Sequence, residues 1–247
     1  MIRYLAVGLT VLATLLLLIY SLVERKKNGS TLRIPSSLDA MEMAHNLNLE
    51  KGYKLVFANG SNLLLDQVNI NSLIALPLMQ KLTSQAVVSD QPPIVVSGNG
   101  SLAILSKMIL AGVYDKALVP NLFYKDYSHT TGGSRFAYLA GCLPELFWDR
   151  IGMLVLAGHI NPEMVLLTDL SARKDIFTFV GSDSPAAQAA FLATTEHVLL
   201  GEEYFALGLA DTRTKATRGS LKAQDFLRVT LILVIIIASL LKALGIY

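Results

Sequence analysis

The chain has 247 residues, 53% of them hydrophobic and 16% charged, with a net charge of +2 at pH 7 and a mean hydropathy of +0.49. Soluble domains carry roughly 25% charged residues, so part of this chain is built for a medium other than water. So small a net charge gives no electrostatic case for nucleic acid. The single cysteine excludes an intrachain disulfide framework and suits a reducing compartment.

Residues 4–23 (YLAVGLTVLATLLLLIYSLV) hold neither a charge nor a proline. At about 1.5 Å per residue, some 20 helical residues cross the ~30 Å hydrocarbon layer, so this stretch is expected to be a transmembrane helix. A cleaved signal peptide fits less well, because no small-x-small site precedes the cluster Glu24-Arg25-Lys26-Lys27. A second apolar stretch, Val229–Tyr247 within a predicted span 226–247, has one charge, Lys242, near its end, where the amine can snorkel to headgroups. Basic residues follow the first span (Arg25, Lys26, Lys27, Arg33) and precede the second (Arg213, Lys215, Arg218, Lys222, Arg228). The positive-inside rule then predicts a cytoplasmic domain with both termini across the membrane. The expected organisation is a span at 4–23, a linker at 24–36, an α/β domain at 37–212, a basic linker at 213–225 and the second span.

Along the domain, Asp39 and Glu42 suggest a capping box, with Leu38, Met41 and Ala44 on one helix face. Tyr53–Ala58 reads as a strand, and 69–87 as a helix that Pro77 must kink or split. Ile94–Ser97 reads as a strand, 101–111 as a helix, and Ala117–Val119 as a short third strand. Phe136–Trp148 is predicted helical, with Cys142 in it as a small core residue rather than a nucleophile. Strands at 153–157, 176–180 and 197–200 then alternate with helices at 162–172, 185–195 and 202–210. Short apolar strands alternating with helices predict an α/β fold: a Rossmann-like, mostly parallel sheet with helices on both faces.

The stretches His197–Ala206 (HVLLGEEYFA), Gly219–Asp225 (GSLKAQD), Arg135–Tyr138 and Ile176–Asp183 resemble an uncharacterised family of bacterial membrane proteins with a cytoplasmic domain of unknown function. The resemblance covers residues 50–247 and is strongest after 175. It implies a bacterial source and anchoring at both ends, and it brings no activity to carry over.

In a parallel sheet, ligands bind outside the carboxyl ends of the strands. Those ends carry Asn59-Gly60-Ser61, Gly98-Asn99-Gly100-Ser101, His159, Asp183, and Glu202-Glu203. Gly98–Ala103 fits GxGxxA between a predicted strand and helix, the pattern of a phosphate-cradling turn. It follows the second strand rather than the first, however, and no acid ends the next one. Turns and N-caps explain Ser101 and Ser184 equally well, and Glu202 and Glu203 suit the positive end of a helix. His159 and Glu163 could meet across a turn. Ser101, His159 and Asp183 form a conceivable hydrolase set, but no GxSxG elbow is present. No metal-ligand spacing occurs among His45, His129, His159 and His197, and no cofactor is implied.

The expected function is a non-enzymatic structural or scaffolding subunit in a bacterial cytoplasmic membrane. Its expected partners are the lipid bilayer and further copies or other membrane subunits. The alternative is a tethered nucleotide- or anion-binding sensor using the Gly98–Ala103 loop.

Overall fold

In the computed structural model, residues 36–60, 70–89, 91–148, 150–209, 226–232, 235, 236 and 239 are described. The chain divides into two compact units, residues 34–211 and residues 1–33 with 212–247. Among the described residues no helix is long and apolar enough to cross a membrane. The predicted span 4–23 lies outside the described residues, as does most of 226–247, whose described positions are helical.

Unit 34–211 is built from α1 (Ser36–Glu50), β1 (Lys54–Asn59), α2 (Ile70–Ala86), β2 (Ile94–Ser97), α3 (Gly100–Lys116), β3 (Ser128–Thr130), α4 (Arg135–Cys142), β4 (Ile151–Gly158), α5 (Val165–Arg173), β5 (Phe177–Ser182), α6 (Pro185–Phe191) and β6 (His197–Leu199). The six strands form one sheet in the order β3-β2-β1-β4-β5-β6, and every neighbouring pair is parallel. This is the strand order of a doubly wound, Rossmann-like fold, with its topological switch point between β1 and β4.

Side chains alternate across each strand and feed two cores. Leu55, Phe57, Val95, Met153, Val155 and Phe179 pack under α1, α2 and α3. Val56, Ala58, Val96, Leu154, Leu156 and Val180 pack under α4, α5 and α6. With both faces covered, β4 is apolar at consecutive positions, as a central parallel strand must be.

Several elements depart from the sequence reading. α1 begins at Ser36, so Asp39 lies in its first turn and does not cap it. α2 runs unbroken through Pro77. The carbonyl that Pro77 leaves without a donor belongs to Leu73, a residue 38% exposed. The third strand is Ser128–Thr130, not Ala117–Val119, because Leu118 adopts φ 61° and ends α3 in a left-handed turn. The run 136–148 splits after Cys142, and Pro144 opens a separate 3-10 turn over Leu143–Phe147. The predicted helix at 202–210 is a series of 3-10 turns over Gly201–Leu209. Cys142 is buried as expected, and burial pushes its thiol up to about 12.

His45 lies on the inner face of α1 beside Leu38, Met41 and Asn48. It is 1% exposed and neither ring nitrogen has a hydrogen-bond partner. Burial lowers its pKa from 6.5 to about 4, partly opposed by the Leu82 backbone and Glu42. Since the unfolded chain takes up this proton first, stability is full above pH 6.5 and falls as the pH drops towards 4. The loss amounts to roughly 3 kcal/mol. Denaturant midpoints measured between pH 7 and 4 should show this slope, and His45→Leu should flatten it.

Candidate functional site

The carboxyl edge of the sheet converges on the switch point. Asn59, the last residue of β1, is fully buried and held from both faces. Its side-chain amide donates to Ser106 Oγ on α3 at 2.7 Å, and the Tyr138 hydroxyl on α4 donates to its carbonyl. The chain then turns at Gly60. A Cβ at Gly60 would lie 2.5 Å from the His159 backbone nitrogen, and one at Gly158 would lie 2.8 Å from the Gly60 nitrogen. Gly158 also has φ +128°, a backbone conformation that side chains rarely adopt. Two glycines therefore let the ends of β1 and β4 close backbone against backbone. Gly98 joins them, its N–H donating to the Gly60 carbonyl at 3.4 Å.

This closure presents His159 to the end of β5. His159 Nδ1 stands 2.8 Å from Asp183 Oδ1, with side chains 16% and 7% exposed. The two atoms approach closely without the alignment of a hydrogen bond. Asn71, at the start of α2, donates from Nδ2 to the other carboxylate oxygen at 2.7 Å. Tyr204 in turn donates its hydroxyl to the Asn71 carbonyl. Ser72 Oγ accepts the His159 backbone N–H at 3.4 Å. Burial raises the Asp183 pKa, but His159 and Asn71 outweigh it and hold the carboxyl below its ordinary value. Burial, with the Asp183 charge, pushes the Tyr204 phenol far up, so it remains a donor at neutral pH. The carboxylate also lies at the positive end of α2, where negative charge is favoured.

The residues singled out from sequence divide into three groups. His159 and Asp183 meet. Asn59 faces inward and serves the fold. Gly98, Asn99, Gly100 and Ser101 form the cap of α3: Asn99 Oδ1 accepts the Ser101 N–H at 2.7 Å and occupies a donor that a phosphate would need. A Cβ on Gly100 would meet nothing within 4 Å, so packing does not require glycine there. Among the described residues, no contact joins Ser101 to His159 or Asp183. Glu163 lies 3.8 Å from Arg135 Nε instead of pairing with His159. Ser184 caps α6, and Glu203 Oε2 accepts the Leu200 N–H at 3.5 Å, closing its own turn. Ser61 and the Glu202 side chain lie outside the described residues. Sequence reasoning missed Asn71, Ser72 and Tyr204. Tyr204 had a signal in the aromatic pair after Glu202-Glu203, whereas Asn71 had none. Among the described residues no group of three or more His, Cys, Asp or Glu side chains could hold a metal ion.

The fold and site define a Rossmann-like α/β domain with a buried polar network at its switch point. The chain belongs to the family described as a domain of unknown function (DUF6754), whose model matches residues 2–247. No curated protein and no solved structure matches it.

The two glycine turns should respond oppositely to a methyl group. Gly60→Ala should destabilise the fold by about 1–3 kcal/mol through overpacking, while Gly100→Ala should stay within about 0.5 kcal/mol of the parent. Paired denaturation curves check both.

Proposed function

We propose that this protein is a membrane-anchored, non-enzymatic domain that binds a small polar ligand at the carboxyl edge of its sheet. The observation that carries the reading is the His159–Asp183 pair, braced by Asn71 and Tyr204 where strand order reverses. Perturbed, mostly buried titratable groups at such a crevice are characteristic of binding sites. Among the described residues His159 Nε2 makes no internal hydrogen bond, so it is the atom offered to a ligand. Binding is favoured over catalysis because, among the described residues, no free nucleophile stands in reach. Ser72, the hydroxyl nearest in the network, is fully buried and already accepts from His159. The apolar segments 4–23 and 226–247 support anchoring, and their basic flanks support a domain on the cytoplasmic face of a bacterial membrane.

Bound ligand must raise stability by mass action, by about 2.7 kcal/mol at a hundredfold excess over Kd. A thermal-shift screen of detergent-solubilised full-length protein against nucleotides and polar metabolites should therefore yield a hit. At least one of the shifts should be lost in His159→Ala, and that ligand is the one held at this edge. A panel without any stabilisation at millimolar concentration would count against the site.

The second reading, a scaffolding subunit, is favoured by α3. Its inner face is buried through Leu102, Leu110, Val113 and Tyr114, yet Ile104 and Met108 on its outer face are 63% and 66% exposed. A helix apolar all round is ordinarily covered by something. Light scattering after size exclusion should then report an oligomer that Ile104→Glu with Met108→Glu converts to monomer. A monomeric parent would end this reading.

A further inference from the structure

We infer that the amino edge of the sheet carries a second, separate ligand site, a cleft that takes an anion bearing a flat apolar group and a hydrogen-bond donor. The cleft has a volume of about 550 Å³ and is lined by Asn48, Lys51, Tyr53, Arg150, Lys174 and Asp175, with Leu47 and Phe177 as apolar walls. Tyr53, Arg150 and Phe177 stand at the starts of β1, β4 and β5. His159 and Asp183 follow the ends of β4 and β5, so the two sites are a strand length, roughly 20–25 Å, apart.

Charge comes first. Among the described residues, Lys51, Arg150 and Lys174 have no carboxylate partner. Lys174 is held in place by the Leu146 carbonyl at 2.8 Å and the Phe147 ring at 4.1 Å. Opposing them are Asp175 and the C-terminal ends of α1 and α5, each helix end worth about half a negative charge. Counted over the described residues that line it, the cleft stays positive by about one charge. Lys51 and Lys174 follow helix ends, where cations are ordinary, but Arg150 follows no α-helix and answers no dipole.

Backbone and hydrogen bonding point the same way. Arg150 holds φ 63°, a left-handed conformation taken by a non-glycine residue on the cleft itself, whereas Asp175 at 55° ends α5 as Leu118 ends α3. Strain of the Arg150 kind gathers at functional sites. Asn48 is 3% exposed and donates from Nδ2 to the Tyr53 carbonyl at 3.0 Å, yet its Oδ1 has no partner. Gly152 makes room for that oxygen, since a Cβ there would fall 2.1 Å from it. A ligand donor would satisfy Asn48, an anionic group would meet Arg150 and Lys51, and a planar ring would cover Leu47 and Tyr53. A nucleoside monophosphate has all three parts.

The test uses full-length protein in detergent, with AMP and inorganic phosphate as probes. Trp148, two residues from Arg150, is the chain's single tryptophan and reports locally. AMP should change Trp148 emission saturably and raise the melting temperature. Arg150→Asn removes the charge with a residue that tolerates the left-handed turn, and it should weaken AMP at least about tenfold. His159→Ala should leave AMP binding unchanged, which separates this cleft from the switch-point site. Should Arg150→Asn fail to fold, Lys51→Gln, at an exposed helix end, should weaken binding instead. No effect of AMP at about 10 mM would overturn the inference. So would equal affinity for AMP and inorganic phosphate, or wild-type affinity in a folded Arg150→Asn.

Discussion

The site rests on one close approach, the closure of β1 against β4 at Gly60 and Gly158. Two parallel strands from different halves of a doubly wound sheet diverge beyond their last shared hydrogen bonds, and side chains normally fill the gap. Here hydrogen atoms stand where β-carbons would collide with backbone. His159 is consequently drawn in beside Asp183 rather than turned out to solvent. The network at Asn71, Ser72 and Tyr204 depends on that placement.

The energetics are divided between edge and core. Two apolar layers, one under each face, supply the bulk of folding free energy at about 25 cal/mol per Å² of apolar area removed from water. Against this, the fold retains polar groups in costly surroundings: a buried imidazole without partners at His45 and a carboxylate 7% exposed at Asp183. The first is only partly compensated, by the Leu82 backbone and Glu42, and makes stability sensitive to acid. The second is compensated by His159, Asn71 and the start of α2, so Asp183 stays ionised. The same physics, desolvation of a titratable group, thus produces a liability at one position and an organised site at the other.

The two edges of the sheet differ in kind. At the carboxyl edge, among the described residues, the polar groups mostly contact one another, and His159 Nε2 makes no internal hydrogen bond. At the amino edge, among the described residues, Lys51, Arg150 and Lys174 have no carboxylate partner and the acceptor on Asn48 is empty. A domain with distinct chemistries at opposite ends of its strands can respond to two ligands.

Much of the architecture was legible because parallel strands and covering helices impose strong periodicities. The runs at 53–58, 94–97, 153–157, 176–180 and 197–200 are predominantly apolar, and each became a strand. Ser128–Thr130 was not legible, since a three-residue polar edge strand is defined by its partner Val95–Ser97 and carries no pattern of its own. Asp183 and His159 could be named from their positions after strands, but their pairing could not. It requires β4 and β5 to be neighbours in register, Gly158 opposite Ser182. Asn71 and Tyr204, separated by 133 residues, are joined only by tertiary packing. Sequence determined most of the elements, because local periodicity suffices for those, and the likeness of particular stretches pointed to an uncharacterised family. Tertiary structure alone decided which polar groups meet and which glycines are needed, because both depend on distances between segments remote along the chain.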